Sequence, residues 1–392
     1  MKVLVVHNDY RSATPSGENV AVRAQVASLR AAGVDVHTYL RSSDEISGRH
    51  GLHRVSLPVE PLLGPGATRD LAATMDELRP DVVHLHNVFP LISPRVIDVA
   101  HERGVAVVAT AHNYRHVCVR GTYFRDGHDC RDCAGRIFGT PAVEHACYRD
   151  SRRQSVVMAT ALAAHRGRFH RVDRYIALTP LMAEHLVAYG IDRSRVTVVP
   201  NSAPDPGAAP PPGEGVLFAG RLSPEKGFAL LAEAWRGLDL DELGPLVVAG
   251  DGAERPKVIA LASRRTDVRY VGVVPASSMP ALIAGSALVV VPSLWDDVCP
   301  VIAVEAMSLG RSVIATARGG LPYLIGEDGG AVVPTTAEDL RAGLRRGYAA
   351  AAAGGLAARA RYERLFSPTV VTGALIAAYE DALAARRSRA SE

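Results

Sequence analysis

The sequence predicts an α/β protein of two doubly wound domains that face each other across a central cleft. Three observations predict it. The chain has 392 residues, too many for one ordinary core and enough for two domains of about 200 residues each. Short Val-rich runs alternate with helical patterns in both halves, as in parallel sheets covered by helices. A Pro- and Gly-rich stretch, "NSAPDPGAAPPPGEG" (201–215), separates the halves and cannot be core.

The elements follow in order. "KVLVVH" (2–7), "VDVHTYL" (34–40), "DVVHLH" (81–86), "GVAVVAT" (104–110), "RYIALT" (174–179) and "VTVVP" (196–200) read as strands buried on both faces. A helix joins the first two: Val22, Val26 and Leu29 share a face, Glu18 favours the first turn and Gly33 closes it. After the linker the pattern restarts with "GVLFAG" (215–220), "PLVVAG" (245–250), "VRYVGVV" (268–274), "ALVVVPS" (287–293), "SVIAT" (312–316) and "AVVP" (331–334). Ala-rich helices close the chain, ending in "GALIAAYEDALAARR" (373–387). The expected division is an N-terminal domain 1–200, a linker 201–215, a C-terminal domain 216–369 and a last helical segment 370–392.

Composition narrows the function. Apolar residues make up 48%, charged residues 22%, and the net charge is +3. This is a soluble globular composition with no surplus of positive charge for nucleic acid. The N-terminus "MKVLVVHNDY" is too short for a signal h-region, and "SVVMATALAA" (155–164) is far below a membrane span. A cytoplasmic protein is expected.

Ligands of doubly wound sheets bind beyond the carboxyl ends of the strands. "LWDDVC" follows the strand "ALVVVPS", so it is such a loop. Pro300 suits a first helical position, and "PVIAVEAMSL" continues as a helix that Gly310 stops. Asp297 then stands at the cleft mouth and Glu305 about 7–8 Å down the helix. Unpaired N–H groups at that helix start favour an anion, and the carboxylates suit hydroxyls. The plainer reading pairs Glu305 with a neighbouring Arg and leaves Asp297 solvated. "GRLSPEKG" (220–227) follows another strand. Its Arg221 and Lys226 combine a fixed fork with a flexible point charge, which suits a diphosphate; the plainer reading is two solvated surface cations. No Gly-x-Gly-x-x-Gly or Walker-type loop follows any strand, which argues against a dinucleotide or ATP-hydrolysing site.

"GRLSPEKG", "VVAGDG" and the run from "PSLWDDVCP" through "EAMSLGRSVIAT", in that order, resemble glycosyltransferase family 4. "SGEN", "PDVVHLHNVFPLISP" (80–94), "ATAHNYR" (109–115) and "VPN" (199–201) extend the likeness over nearly the whole chain. The resemblance implies a retaining transferase of the GT-B architecture. That architecture pairs two Rossmann-like domains, the N-terminal one holding the acceptor, with a C-terminal helix crossing back to it. It implies a nucleotide diphosphate sugar donor of UDP or GDP type and a hydroxyl acceptor, with no cofactor required for catalysis. Glu305 would then bind ribose hydroxyls. Asp297, with the amides of Val298 and Cys299, would face the donor sugar. Arg221 and Lys226 would hold the diphosphate, Val274 the nucleobase, and Gly17 would let the diphosphate approach. His112 would stand beside the transfer centre and orient hydroxyls. Two departures stand out. Asp297 replaces the usual Glu, and Tyr323 stands where the family often has Glu.

Cys118, Cys130, Cys133 and Cys147 lie in a Gly- and charge-rich insertion, 113–150, with spacing C-x11-C-x2-C-x13-C. A central C-x2-C with two outlying cysteines fits a structural zinc site, with His128 or His145 able to replace one ligand. Free thiols, a disulfide or another metal are the other uses. Cys299 lies apart and reads as structural. His84 and His86 alternate in "DVVHLHN", which suggests one ring toward the cleft and one toward the core. "DSRRQSVVMATALAAHRGRFHRVDR" (150–174) fits a membrane-surface helix. It fits better an ordinary helix on the sheet with a solvated basic edge. Competing functions on this plan are a nucleotide-sugar epimerase, a phosphorylase, or a zinc-dependent binding protein.

Overall fold

The computed structural model describes residues 1–12, 16–46 and 59–391. All twelve expected strands are present, in two six-stranded parallel sheets. The first holds β1 (Lys2–Asp9), β2 (Asp35–Ser42), β3 (Val82–Leu85), β4 (Ala106–Ala111), β5 (Arg174–Ala177) and β6 (Val196–Val198), in the order β2-β1-β3-β4-β5-β6. The second holds β7 (Val216–Ala219), β8 (Leu246–Ala249), β9 (Val268–Gly272), β10 (Leu288–Val291), β11 (Ser312–Thr316) and β12 (Gly330–Val333), in the order β9-β8-β7-β10-β11-β12. Each order reverses once. In the second sheet the reversal falls between β7 and β10, the place where such sheets open a crevice for ligand.

The strands are not all buried on both faces as the Val-rich runs suggest. β1, β3 and β10 are, but β2, β6, β9 and β12 leave several residues partly or fully exposed. These four are the sheet edges, and an edge strand has one flank without a partner. Helix α1 (Gly17–Ala31) starts at Ser16, whose hydroxyl accepts the Asn19 amide at 3.4 Å, and the chain turns out through Gly33 at φ 81°. Its Val22, Val26 and Leu29 pack on Val3 and Val5.

The last helix, α2 (Pro368–Ser391), does cross back. Val371, Leu375, Ala378, Tyr379 and Ala382 join the core of the first domain with Val3, Val5 and Val108. The Tyr379 hydroxyl meets His84 Nδ1 at 2.7 Å. The apolar face of the helix Arg152–Phe169 lies in the core through Met158, Ala159, Leu162 and Phe169, while Arg168 and Arg171 both pair with Asp98. This is the ordinary sheet-covering helix of the two readings. Among the described residues no helix is long and apolar enough to cross a membrane.

The segment 201–215 forms no helix or strand, yet it is tied down. Arg311 is fully buried and donates to the carbonyls of Pro210, Pro211, Ala284, Leu309 and Gly310 at 2.6–3.2 Å. Burial pushes its pKa down, and among the described residues its acceptors are carbonyls, with no carboxylate partner. The guanidinium therefore holds the linker against the second domain through carbonyls alone. Arg311→Leu is expected to lower the unfolding free energy by about 3 kcal/mol or more, because several buried carbonyls lose their donor. Urea denaturation of the variant measures this.

Candidate active site

The carboxyl ends of both sheets open into one cleft of about 770 Å³. Arg221, Lys226, Val274, Asp297, Cys299 and Glu305 line it from the second domain, Gly17 and His112 from the first. Eight of the nine donor-site and catalytic residues expected from sequence thus share one cavity. Val298 is not a lining residue; its side chain is 2% exposed and packs in the core behind the loop.

Arg221 and Lys226 stand where β7 ends, at the reversal of the second sheet. Backbone packing fixes their loop. Gly227 adopts φ 74°, and a Cβ there would lie 1.8 Å from the Pro292 carbonyl. Gly250 of "AGDG" likewise meets the Gly220 carbonyl, so that turn braces the loop carrying Arg221. Arg221 is exposed and, among the described residues, its guanidinium makes no hydrogen bond or ion pair.

Lys226 behaves differently. Its Nζ sits 2.5 Å from Asp297 Oδ2 and 5.3 Å above the Trp295 ring. Asp297 is 4% exposed and also accepts from the Ser293 hydroxyl at 3.1 Å. Asp297 lines the cleft but is not the solvated acid of the plainer reading: it is buried and forms one ion pair with Lys226. A carboxylate this buried requires a counter-charge, and Lys226 supplies it.

Glu305 lies on the helix Val301–Ser308, which Pro300 precedes as its N-cap rather than opens. No arginine pairs with it. Among the described residues its carboxylate makes no hydrogen bond or ion pair, and burial alone raises it to about 6. This costly acid borders the cavity next to the helix start. Across the cleft Gly17 begins α1, and a Cβ on it would touch Val301 at 3.7 Å. The N-termini of two helices therefore meet over the same space, where their free amides favour an anion.

His112 is partly buried, and burial lowers its pKa. Its Nε2 meets His86 Nδ1 at 2.8 Å. His84 and His86 do not divide between cleft and core. Residues two apart share a strand face, and both rings are buried 4.3 Å apart. His84, pushed down to about 3 by burial, bonds Thr110 and Tyr379, and His86 supports His112. Sequence reasoning missed Glu18 as a cleft residue and read it only as a helix-start acid. It accepts from the Tyr10 hydroxyl at 3.2 Å and from Asn113 at 3.5 Å on the first-domain wall.

In the insertion, Cys118, Cys130, Cys133 and Cys147 are all free thiols. Among the described residues no group of three or more His, Cys, Asp or Glu side chains is arranged to hold a metal ion. His128 and His145 are exposed, and burial raises the Cys133 thiol to about 11. Apolar anchors order the segment: Val119, Tyr123, Phe124, Cys133 and Ala142 are buried in the core with Tyr114. Cys299 is buried, its thiol raised to about 12, and its carbonyl accepts from Asn201 at 2.9 Å. Tyr323 is half-buried on the helix Leu321–Ile325, and nothing in the structure explains why it replaces a carboxylate.

Comparison with known proteins agrees with this geometry. Residues 15–204 match the family profile described as Glycosyltransferase Family 4, and residues 213–349 match Glycosyl transferases group 1. The lipopolysaccharide 1,2-N-acetylglucosaminetransferase of Salmonella typhimurium is 35% identical over 121 residues, covering 28% of this chain and 32% of that protein. The chain thus matches about a third of that relative's length. A D-inositol 3-phosphate glycosyltransferase of Salinispora tropica is 27% identical, covering 96% of this chain and 83% of that one. Among solved structures, a sucrose-phosphate synthase of Thermosynechococcus elongatus superposes with TM-score 0.71 at 19% identity, covering 98% of this chain and 99% of that one. HepE of Anabaena, in complex with UDP-glucose, superposes with TM-score 0.63 at 17% identity, covering 95% and 97%. With both halves matched by family models, the chain belongs to glycosyltransferase family 4, and its two parallel-sheet domains closing on one cleft have the GT-B fold of these solved structures.

Proposed function

We propose that the chain moves a sugar from a nucleoside diphosphate sugar to an acceptor hydroxyl, with retention of configuration and without a catalytic metal. One observation carries the reading. Arg221, Lys226 and the start of the Val301–Ser308 helix border the same cavity as Glu305, at the reversal of the second sheet. Glycosyl transfer passes through an oxocarbenium-like state while negative charge grows on the leaving diphosphate. Fixed cations and helix amides aimed at that charge are the largest help a protein gives. Arg221, free of partners, would take the diphosphate directly. Lys226, held by Asp297, would present one oriented ammonium to it. Glu305 would accept from ribose hydroxyls and Val274 would border the nucleobase.

His112 suits orienting a hydroxyl better than accepting its proton. Burial holds the ring neutral, and His86 occupies its Nε2. In a retaining front-face route the leaving phosphate takes the acceptor's proton, and the ring only places the hydroxyl. The donor class is supported by HepE, whose structure holds UDP-glucose. Acceptors in keeping with the relatives are a polysaccharide or lipid intermediate, or a small secondary metabolite. An epimerase or phosphorylase lacks support among these relatives. A zinc-dependent binding protein likewise lacks support among these relatives.

Calorimetry with UDP and GDP tests the reading. One of the two is expected to bind, and Arg221→Ala to weaken it by about tenfold, the loss of one charge-assisted contact. If neither nucleotide binds the wild type, the donor site is misassigned.

A further inference from the structure

The loop between β10 and the Val301–Ser308 helix carries Trp295 and Asp297, and through them it places Lys226. Contacts that reach it from the other domain hold this loop. Arg131 of the Cys-rich insertion sets its Nη2 2.5 Å from Asp296 Oδ2. The same guanidinium lies over the Tyr123 ring at 4.1 Å and near Tyr114 at 5.9 Å, so aromatic faces fix its direction. The Tyr114 hydroxyl donates to the Asp296 carbonyl at 2.9 Å, and its ring meets Trp295 edge-on at 6.4 Å. A second ion pair, Arg318 with Asp129, joins the insertion to the neighbouring loop. From its own domain the loop is closed by Gly319, whose amide donates to Asp296 Oδ1 at 3.3 Å, and by Gly320, whose amide donates to the Asp297 carbonyl at 2.7 Å.

None of Arg131, Tyr114 and Asp296 lines the cleft. They cannot touch a donor held there and act only through their neighbours. We propose that Arg131 and Asp296 are a positioning pair by which the insertion holds the donor loop, so that Lys226 and Asp297 reach working geometry only while the two domains are latched together. The inference rests on the donor-site reading above for its functional consequence. Arg131 is half exposed, with 51% of its side chain in solvent against 20% for Asp296. Such a pair contributes modestly to global stability. Its effect falls on the population of the ordered loop, where a coupling of ordinary size changes affinity about 5- to 10-fold.

Two measurements test this on the intact chain. Hydrogen exchange of the amides of residues 294–299, without ligand, is expected to speed up about tenfold in Arg131→Glu, where repulsion replaces attraction. Arg131→Lys, which keeps the charge but loses the fork, should fall between. The dissociation constant for UDP or GDP, whichever the wild type binds, should rise about 5- to 10-fold in Arg131→Glu and less in Arg131→Lys. Exchange in 294–299 that matches the wild type in Arg131→Glu overturns the inference and leaves the donor site standing. Failure of the wild type to bind either nucleotide sinks the donor-site reading, while faster exchange in the variant would still establish the latch.

Discussion

Lys226→Ala is expected to lower kcat/KM for sugar transfer by about two to three orders of magnitude, the usual loss when one fixed group that stabilises developing charge is removed. The same substitution leaves Asp297 buried with only the Ser293 hydroxyl for company. Stability should therefore fall with activity, by about 1–3 kcal/mol. That is less than for a fully buried pair, because Lys226 keeps 25% of its side chain in solvent. The double variant Lys226→Ala/Asp297→Asn separates the two effects. Neutralising the stranded carboxylate should restore most of the stability and none of the transfer. Recovery of transfer in the double variant would mean that Lys226 serves only to neutralise Asp297.

Glu305→Gln should move stability and activity in opposite directions. Burial raises Glu305 from 4.5 to about 6, so in the folded chain the ionised form is the penalised one. The penalty is absent below the unfolded value, near pH 4.5, and present in full above about pH 6. A neutral isostere removes it. The variant should gain about 1–2 kcal/mol at pH 7.5 and nothing at pH 4. Transfer should fall at least about 100-fold, since an amide cannot accept from both ribose hydroxyls as a carboxylate does. Wild-type nucleotide affinity should likewise weaken as pH falls through about 6, as the carboxylate is protonated. Chemical denaturation at the two pH values, beside transfer assays, checks the pattern. An equal stability change at both would contradict the assigned cause.

A strained acid of this kind can be recognised in the sequence, because Glu305 stands in the apolar run "PVIAVEAMSLG" that has to be buried. The twelve strands were legible for a similar reason: short β-branched runs bounded by Gly and Pro have few other solutions. Edge exposure was not legible, since strand order is a property of the sheet and not of any one run. Nor was the Lys226–Asp297 pair, which joins residues 71 apart. Both residues could be named as donor-site residues, but their dependence on each other needs the packing of two loops. The Arg131–Asp296 contact spans 165 positions and two domains, beyond any local pattern. The disposition of the four insertion cysteines was not legible for a related reason: spacing says that cysteines can meet, but the arrangement of their thiols depends on the apolar anchors Val119, Phe124 and Ala142 around them.

The central claim is that the second domain grips a departing diphosphate with Arg221 and Lys226 while Glu305 holds the ribose. A crystal structure with bound nucleoside diphosphate tests it most directly. Phosphate oxygens should lie within about 3 Å of the Arg221 guanidinium and the Lys226 ammonium, with ribose hydroxyls on the Glu305 carboxylate. A diphosphate bound elsewhere in the cleft, touching neither Lys226 nor Arg221, would contradict this assignment.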